Sequence, residues 1–531
     1  MKLLLFIVGL FGCLYQINAQ PYQSKIAFLP GEKWWGGFVS KGSDMPFVGA
    51  TDMFDLASHN FGNQSVPLLL SDKGRYVWND EAFKFQVSVT EINIESQYET
   101  VKVIEAGKTL RDAYLAACKK HFPPSGQLPD FLLFSMPQYN TWIELMYDQN
   151  QEDIIKYADD IISNGFPKGV LMIDDNWQKY YGNFDFKPDK FPDPEGMVKR
   201  LHEQGFKIML WVCPFVSADS PEFRELAGKN YLLKAKGSDD PAILKWWNGY
   251  SACYDLTYPE AFDHFVSLLK DVQRKYGIDG FKLDAGDLPY YQPDIVDSYK
   301  KDATAGDHSM AWARVGLEFP FNEYRACWRM GGEALVQRLC DKAYSWSAVN
   351  LLIPDMIVAG LLGYSYTCPD MIGGGSFAAF IGIDSDKFDQ ALIVRSAQAH
   401  TLMPMMQFSV APWRVLDKEH LEICRAMAHL HVKMGEYILN CAKEAAVTGE
   451  PIVRHMEYMF PCRGFSECKD QFMLGDKYLV APVVTSENTR KVVLPKGYNW
   501  RDELGKLFNG GQTVTLNADI TRLPYFEIVK K

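Results

Sequence analysis

Carboxylates and tryptophans gather at a few places in this chain. Asp174-Asp175-Asn176-Trp177 follows the apolar run 169–173, Trp211-Val212-Cys213-Pro214-Phe215 closes the run that begins at Lys207, and Lys282-Leu283-Asp284-Ala285-Gly286-Asp287 closes a third. Arg338-Leu339-Cys340-Asp341 and Pro369-Asp370-Met371-Ile372-Gly373-Gly374 come later. Histidines do not recur beside them. Nucleophilic Ser or Cys chemistry needs a histidine partner and phosphoryl transfer a glycine cradle or metal cage, and neither is laid out. Two carboxylates flanking an acetal oxygen, with aromatic faces for a sugar, need nothing more. One must stay ionised to attack the anomeric carbon, and the other must deliver a proton to the leaving oxygen. Asp284 suits the first role: Lys282 stands two residues earlier on a strand, so both side chains share a face and the ammonium favours the carboxylate. A lone Asp after a strand is more often a cap, and a Trp there is more often packing. Five strand ends in succession that carry one or the other are hard to attribute to caps.

Such groups need a scaffold that brings strand ends together. From about 20 to 126 the chain shows short alternating runs between Gly, Asp, Asn and Ser clusters, the pattern of a β domain. Pro123-Pro124-Ser125-Gly126 punctuates it, and apolar strands then alternate with amphipathic helices, as in parallel β/α units. Residues 131–135 read as the first strand. A helix follows from about Gln151 with Ile154, Ile155, Tyr157, Ala158, Ile161 and Ile162 on one face, then strands at 169–173, 207–212 and 280–283. The helix before the last of these opens at Thr257-Tyr258-Pro259, with Thr257 as the cap. Units continue to about 440, enough for eight, without the glycine-rich turn of a doubly wound sheet. The expectation is an α/β fold, a (β/α)8 TIM barrel with its site at the C-terminal strand ends. After Gly449 strands replace helices, which predicts a C-terminal β-sandwich. The expected division is 1–19 signal peptide, 20–126 β domain, 127–440 barrel and 441–531 β-sandwich.

The remaining features narrow the class. With 531 residues, the chain is roughly twice the size at which one core stops growing. Lys and Arg number 55 against 66 Asp and Glu, a net charge of −11 without single-sign blocks, so nucleic acid is not an expected partner. Aromatics at 14% could stack on sugar rings. Lys2, an apolar run to Leu14 and Ala19 read as a secretory signal peptide, too short to span a bilayer, so the mature chain is expected outside the cytoplasm with no integral membrane segment. Leu10-Phe11-Gly12-Cys13 loosely resembles a lipoprotein box but comes early, so anchoring at Cys13 is the lesser expectation. Ten cysteines outside the leader are too sparse for a disulfide scaffold, although Cys462 and Cys468 bracket a short loop and could pair. Asn63-Gln64-Ser65 is a glycosylation sequon. No cofactor or metal motif stands out, and a homo-oligomer stays open.

Gly182-Asn183-Phe184-Asp185-Phe186 with Lys190-Phe191-Pro192-Asp193, Leu210-Trp211-Val212-Cys213-Pro214-Phe215, and Gly277-Ile278-Asp279-Gly280-Phe281-Lys282-Leu283-Asp284 resemble glycoside hydrolase family 31. The likeness extends to the tail at Gly449-Glu450-Pro451-Ile452-Val453-Arg454 and Gln471-Phe472-Met473-Leu474-Gly475-Asp476. It implies a retaining α-glycosidase with Asp284 as nucleophile and an Asp acid/base. In most of the family that Asp closes a Trp-x-Gly-Asp stretch downstream of a sugar-contacting Arg. Here Arg338, Asp341 and Trp346 supply the residue types, with the Asp ahead of the Trp, so Asp341 is assigned by type rather than by motif. The resemblance also implies that Asp174, Trp211, Lys282 and Asp370 line the pocket for the terminal sugar, with Trp142 closing one side. The α-glucosidase members usually carry His-Asp-Ile-Gly-Gly and Arg-x-His. The Pro369-Asp370-Met371-Ile372-Gly373-Gly374 and Gln407-Phe408-Ser409 found here resemble the myogenesis-regulating glycosidase branch, whose activity is α-galactosidase. Asp174-Asp175 before Trp177 resembles the Asp-Asp-x-Trp of other α-galactosidases, where paired carboxylates bind the 4- and 6-hydroxyls. The implied function is α-galactosidase; the alternatives are an α-glucosidase or α-xylosidase of the family, or an inactive sugar-binding or regulatory protein.

Overall fold

The computed structural model describes residues 20–529, so the leader expected at 1–19 lies outside the described residues. Eight short parallel strands form its central sheet: β1 (Gln138–Asn140), β2 (Val170–Ile173), β3 (Lys207–Val212), β4 (Gly280–Leu283), β5 (Phe321–Tyr324), β6 (Gln337–Arg338), β7 (Thr367–Cys368) and β8 (Gln407–Phe408). Their order is β7-β6-β5-β4-β3-β2-β1-β8. The ring closes where the Ile372 N–H donates to the Gln407 carbonyl at 2.8 Å. This is the TIM barrel. Register pairs Trp211 with Lys282 and Lys282 with Glu323, so three side chains from neighbouring strands share one level of the barrel.

The outer helices form for local reasons that the sequence displays. Asn150 caps Gln151–Ser163, which buries Ile154, Tyr157, Ala158 and Ile161. Asp193 caps Pro194–Glu203, and Pro259–Tyr276 ends at Gly277 in the left-handed conformation (φ 77°). Thr257 is not the cap of that last helix: Tyr258 holds the position, and the Thr257 hydroxyl bonds Asp255 at 2.5 Å. Among the described residues no helix is long and apolar enough to cross a membrane.

The first barrel strand departs from expectation. Residues 131–135 make a helical turn, Leu132–Ser135, begun by Asp130, whose carboxylate accepts the Leu132 N–H at 2.9 Å. The strand is the polar-looking Gln138–Asn140 beyond it. Polar residues can sit there because the barrel interior at that level is a hydrogen-bonded layer: the Gln407 amide donates to Gln138 at 2.9 Å and to Glu323 at 2.7 Å. The apolar run Phe131-Leu132-Leu133-Phe134 therefore misleads, because the true strand faces a polar interior.

Two β regions flank the barrel. Before it, a four-stranded antiparallel sheet (Tyr22–Ala27, Glu91–Ser96, Lys84–Val87, Phe54–Asp55) packs with a five-stranded one built on Gln64–Ser71. That second sheet takes Cys327–Trp328, from the loop after β5, as a parallel neighbour. After it, Lys418–Thr448 runs past residue 440 and ends at Gly449, and a six-stranded antiparallel sheet and the Thr489–Leu494/Gln512–Asn517 pair enclose a core that includes Phe460, Leu479, Trp500 and Phe526. Cys462 and Cys468 are free thiols here.

Candidate active site

At the C-terminal ends of the strands lies a cavity of about 400 Å³, in the size range of small-molecule sites. Asp284, Asp341, Asp174, Asp175, Trp142, Trp211 and Lys282 all line it. Arg338 and Asp370 do not: they are fully buried behind its wall, under the backbone of Gly375. A Cβ at Gly375 would come within 2.7 Å of Asp341 Oδ1 and 2.9 Å of Asp370 Oδ1, so any side chain on this covering loop would displace one or both carboxylates.

Asp284 follows β4 and is held on every side. Arg325 Nε donates to Oδ1 at 2.7 Å, the Ala285 N–H to Oδ1 at 2.8 Å and Trp211 Nε1 to Oδ2 at 2.9 Å. Burial by itself would raise its pKa, but Arg325, Lys282 and Arg338 outweigh that and hold the carboxyl well below the usual range. Arg325 is in turn fixed by Asp287, through Nη2 at 2.6 Å and Nη1 at 3.1 Å, and lies over the Trp247 ring at 5.1 Å. Ala285 itself adopts φ 72°, a strained conformation for a residue with a Cβ, directly after the carboxylate.

The partner that the sequence suggested for Asp284 belongs elsewhere. Lys282 bonds Asp174 Oδ2 at 2.6 Å, and its ammonium reaches Asp284 through the field alone. Asp174 Oδ1 accepts the Asp175 N–H at 2.8 Å. Asp175 caps no helix: its carboxylate accepts from Tyr181 at 3.1 Å and from Asn248 at 2.8 Å. Burial, with the Asp174 charge adding to it, pushes Asp175 up to about 7.

Asp341 lines the same cavity with its side chain 38% exposed. Arg338 Nη1 donates to it at 2.8 Å and to Asp370 at 2.9 Å, while Arg338 Nε lies 3.2 Å from Glu323. One guanidinium is thus shared by three carboxylates. Burial raises the pKa of Asp370, which also accepts the Lys342 N–H at 2.7 Å and adopts φ 108°. Trp142, in the turn after β1, donates to the Gly375 carbonyl at 3.0 Å and closes the side facing Phe377.

Sequence reasoning missed Arg325, Asp287 in its actual role, Tyr181 and the Trp247-Asn248 tip. Arg325 follows β5, and the rule of inspecting strand ends would have found it had Phe321-Asn322-Glu323-Tyr324 been read as a strand. Glu323 disguised it, because its carboxylate faces the polar interior beside Gln407 and Arg338. The Trp247-Asn248 tip belongs to a hairpin, Leu244–Trp246 with Gly249–Cys253, inserted after β3. No local signal ties it to the cavity.

Residues 133–441 match the model of the glycosyl hydrolases family 31 TIM-barrel domain, and 449–527 match the family 31 C-terminal domain. The chain belongs to glycoside hydrolase family 31. Among family 31 relatives, the myogenesis-regulating glycosidase of Mus musculus is 31% identical over 423 residues, covering 77% of this chain and 58% of the relative. An α-xylosidase of Lactiplantibacillus pentosus is 23% identical over 492 residues, covering 85% of this chain and 60% of its own length. The chain thus spans less than two thirds of these relatives. In structure it is similar to a family 31 dextranase of Flavobacterium johnsoniae complexed with glucose, with a TM-score of 0.83 at 19% identity over 96% of this chain and 67% of that one. A family 31 α-xylosidase from a soil metagenome gives 0.81 at 20% identity over 95% and 79%. At such identities the likeness shows the fold.

Proposed function

We propose that the protein is a retaining α-glycosidase that releases a terminal non-reducing sugar, with galactose preferred to glucose and xylose. The observation that carries the reading is that one cavity joins a buried carboxylate held ionised, Asp284, to a second, more exposed one, Asp341. Asp284 attacks the anomeric carbon as Asp341 gives its proton to the leaving oxygen; the glycosidic bond breaks and a glycosyl ester on Asp284 remains. Asp341, now a carboxylate, takes a proton from water, whose oxygen attacks the same carbon and frees Asp284. Arg325 and Trp211 keep the carboxylate oriented for both displacements.

The sugar preference rests on the floor of the cavity. Asp174 and Asp175 offer adjacent acceptors for the 4- and 6-hydroxyls, and a sugar lacking the matching geometry leaves them unpaired. Gln407, standing where the α-glucosidase pattern has its Arg-x-His, turns into the barrel interior and bonds Gln138 and Glu323. The resemblance to the α-galactosidase branch supports the same choice, the name of the mouse relative supports a glycosidase and no particular sugar, and the expected extracytoplasmic location would place such an enzyme among free glycosides. A panel of nitrophenyl α-glycosides tests it: release from the galactoside above the glucoside and xyloside is expected. A preference for the glucoside overturns the sugar, and silence on every sugar with binding retained overturns the enzyme.

A further inference from the structure

The peptide that carries Asp341 is held from both sides by side chains outside its own segment. On one side the Lys342 N–H donates to Asp370 at 2.7 Å, within the barrel. On the other the Cys340 N–H donates to Asn63 Oδ1 at 2.7 Å, and Asn63 Nδ2 donates to Cys340 Sγ at 3.2 Å. Asn63 belongs to the N-terminal β region, is fully buried, and spends both ends of its amide on the residue next to Asp341. Its own backbone is fixed: its carbonyl accepts the Cys327 N–H at 3.3 Å where the loop after β5 joins the N-terminal sheet. The neighbouring residue repeats the pattern, since Gln64 Nε2 donates to the carbonyls of Arg325 at 2.6 Å and Arg338 at 3.3 Å. Asp341 itself, by contrast, has one side-chain bond, to a guanidinium it shares.

We infer that Asn63 is a positioning residue for Asp341: the N-terminal region sets the place from which the acid/base delivers its proton. The inference rests on the acid/base reading of Asp341. An in-place backbone amide on each side leaves the carboxyl a short arc to move in, and proton delivery to an oxygen is sensitive to displacements of about 1 Å. Removing the Asn63 amide frees the Cys340 end of that peptide without touching Asp284 or the cavity floor. The cost should therefore fall on the step that needs the proton and spare the step that does not.

The test uses the whole protein and a matched pair of α-glycosides of its preferred sugar, one with nitrophenolate and one with methanol as leaving group. Asn63→Ala should lower kcat/KM on the methyl glycoside roughly tenfold or more and on the nitrophenyl glycoside less than about threefold, with KM little changed. Asp341→Asn is measured beside it. If Asp341→Asn itself shows no dependence on the leaving group, the acid/base reading fails. If it does and Asn63→Ala lowers both substrates equally, the positioning role fails while that reading stands. In the Asp341→Asn background, Asn63→Ala should cost nothing further on the methyl glycoside, and an undiminished cost there would also overturn the inference. Should Asn63→Ala not fold, Asn63→Asp, which keeps the oxygen that accepts from Cys340, should preserve the ratio between the two substrates, and Asn63→Ser, which cannot reach, should lose it. The same ratio in both, or a set in which no variant folds, counts against a role specific to Asp341.

Discussion

Asp284 and Asp341 face one cavity but are held in opposite manners. The first accepts three hydrogen bonds, is buried, and sits between cations that are themselves pinned by Asp287 and Asp174. The second is 38% exposed and has a share in one arginine. The difference follows from what each group has to do in the proposed cycle. A nucleophile must be ionised whenever substrate arrives, so every contact can be spent on fixing its charge and direction. An acid/base gains and loses a proton within each turnover, and a group locked in one state could not do so.

The largest effect that would sharpen this contrast is at the pinned carboxylate. Asp284→Ala should lower turnover by several orders of magnitude, and added azide should restore part of it with inverted product. A variant that keeps more than about a tenth of the activity would remove Asp284 from the chemistry. Asp341→Asn comes next: the loss in kcat/KM, which reads the first displacement, should be large for poor leaving groups and small for nitrophenolate, which departs without a proton.

Arg325→Met probes what does the pinning. The pKa of Asp284 is depressed in the fold, so its charge supports stability above the unfolded carboxylate range and ceases to do so as the pH falls through the folded value. Without Arg325 burial takes over and raises the pKa, which moves the acidic limb of kcat/KM to higher pH and leaves Asp287 unpaired. A stability loss of about 3 to 5 kcal/mol is expected from breaking such a buried pair, read by denaturant titration. An unmoved acidic limb would mean that Lys282 and Trp211 suffice.

The smallest effect is at Asp175, whose pKa is raised. Here the sign reverses: the folded state holds the proton more tightly, so stability declines as pH rises from the unfolded value near 4 toward about 7. Asp175→Asn should flatten the dependence of Tm on pH across that window. Above about pH 7, where Asp175 is ionised, it should also lower the galactoside to glucoside ratio of kcat/KM by roughly tenfold to a hundredfold, the worth of a charge-assisted bond of about 1.5 to 3 kcal/mol. An unchanged ratio with a changed Tm would make Asp175 a structural member of the Tyr181 and Asn248 cluster.

The legible parts of the chain were those whose continuous burial is met by mostly apolar residues. β2 and β4 stop abruptly at Asp174 and Asp284, and β3 carries Trp211 one residue before its end, so strand, strand end and function-bearing residue could be read together. β1 and β5 were illegible because Gln138, Asn140 and Glu323 are polar and wholly buried, satisfied by partners far away in sequence such as Gln407. The pairing of Lys282 illustrates the same limit. Strand alternation correctly put it on the face of Asp284, but the choice between Asp284 and Asp174 depends on the curvature of the barrel, which no spacing of two residues contains. Arg338 was expected near Asp341 and bonds it, but Arg338 and Asp370 were also expected at the sugar, and their depth behind Gly375 was invisible until the backbone of that loop was seen.

The burial of Asn63 also bears on how the protein can be made. Asn63-Gln64-Ser65 is a sequon, and in a host that attaches glycans to nascent secreted chains a sugar on Nδ2 would abolish the bond to Cys340 and occupy a place with no solvent access. Folding and glycosylation there compete for one atom. Ser65 Oγ is buried without a hydrogen-bond partner, so Ser65→Ala would erase the sequon at little structural expense. Yield from a glycosylating host should rise with that change, and yield from a bacterial host should not.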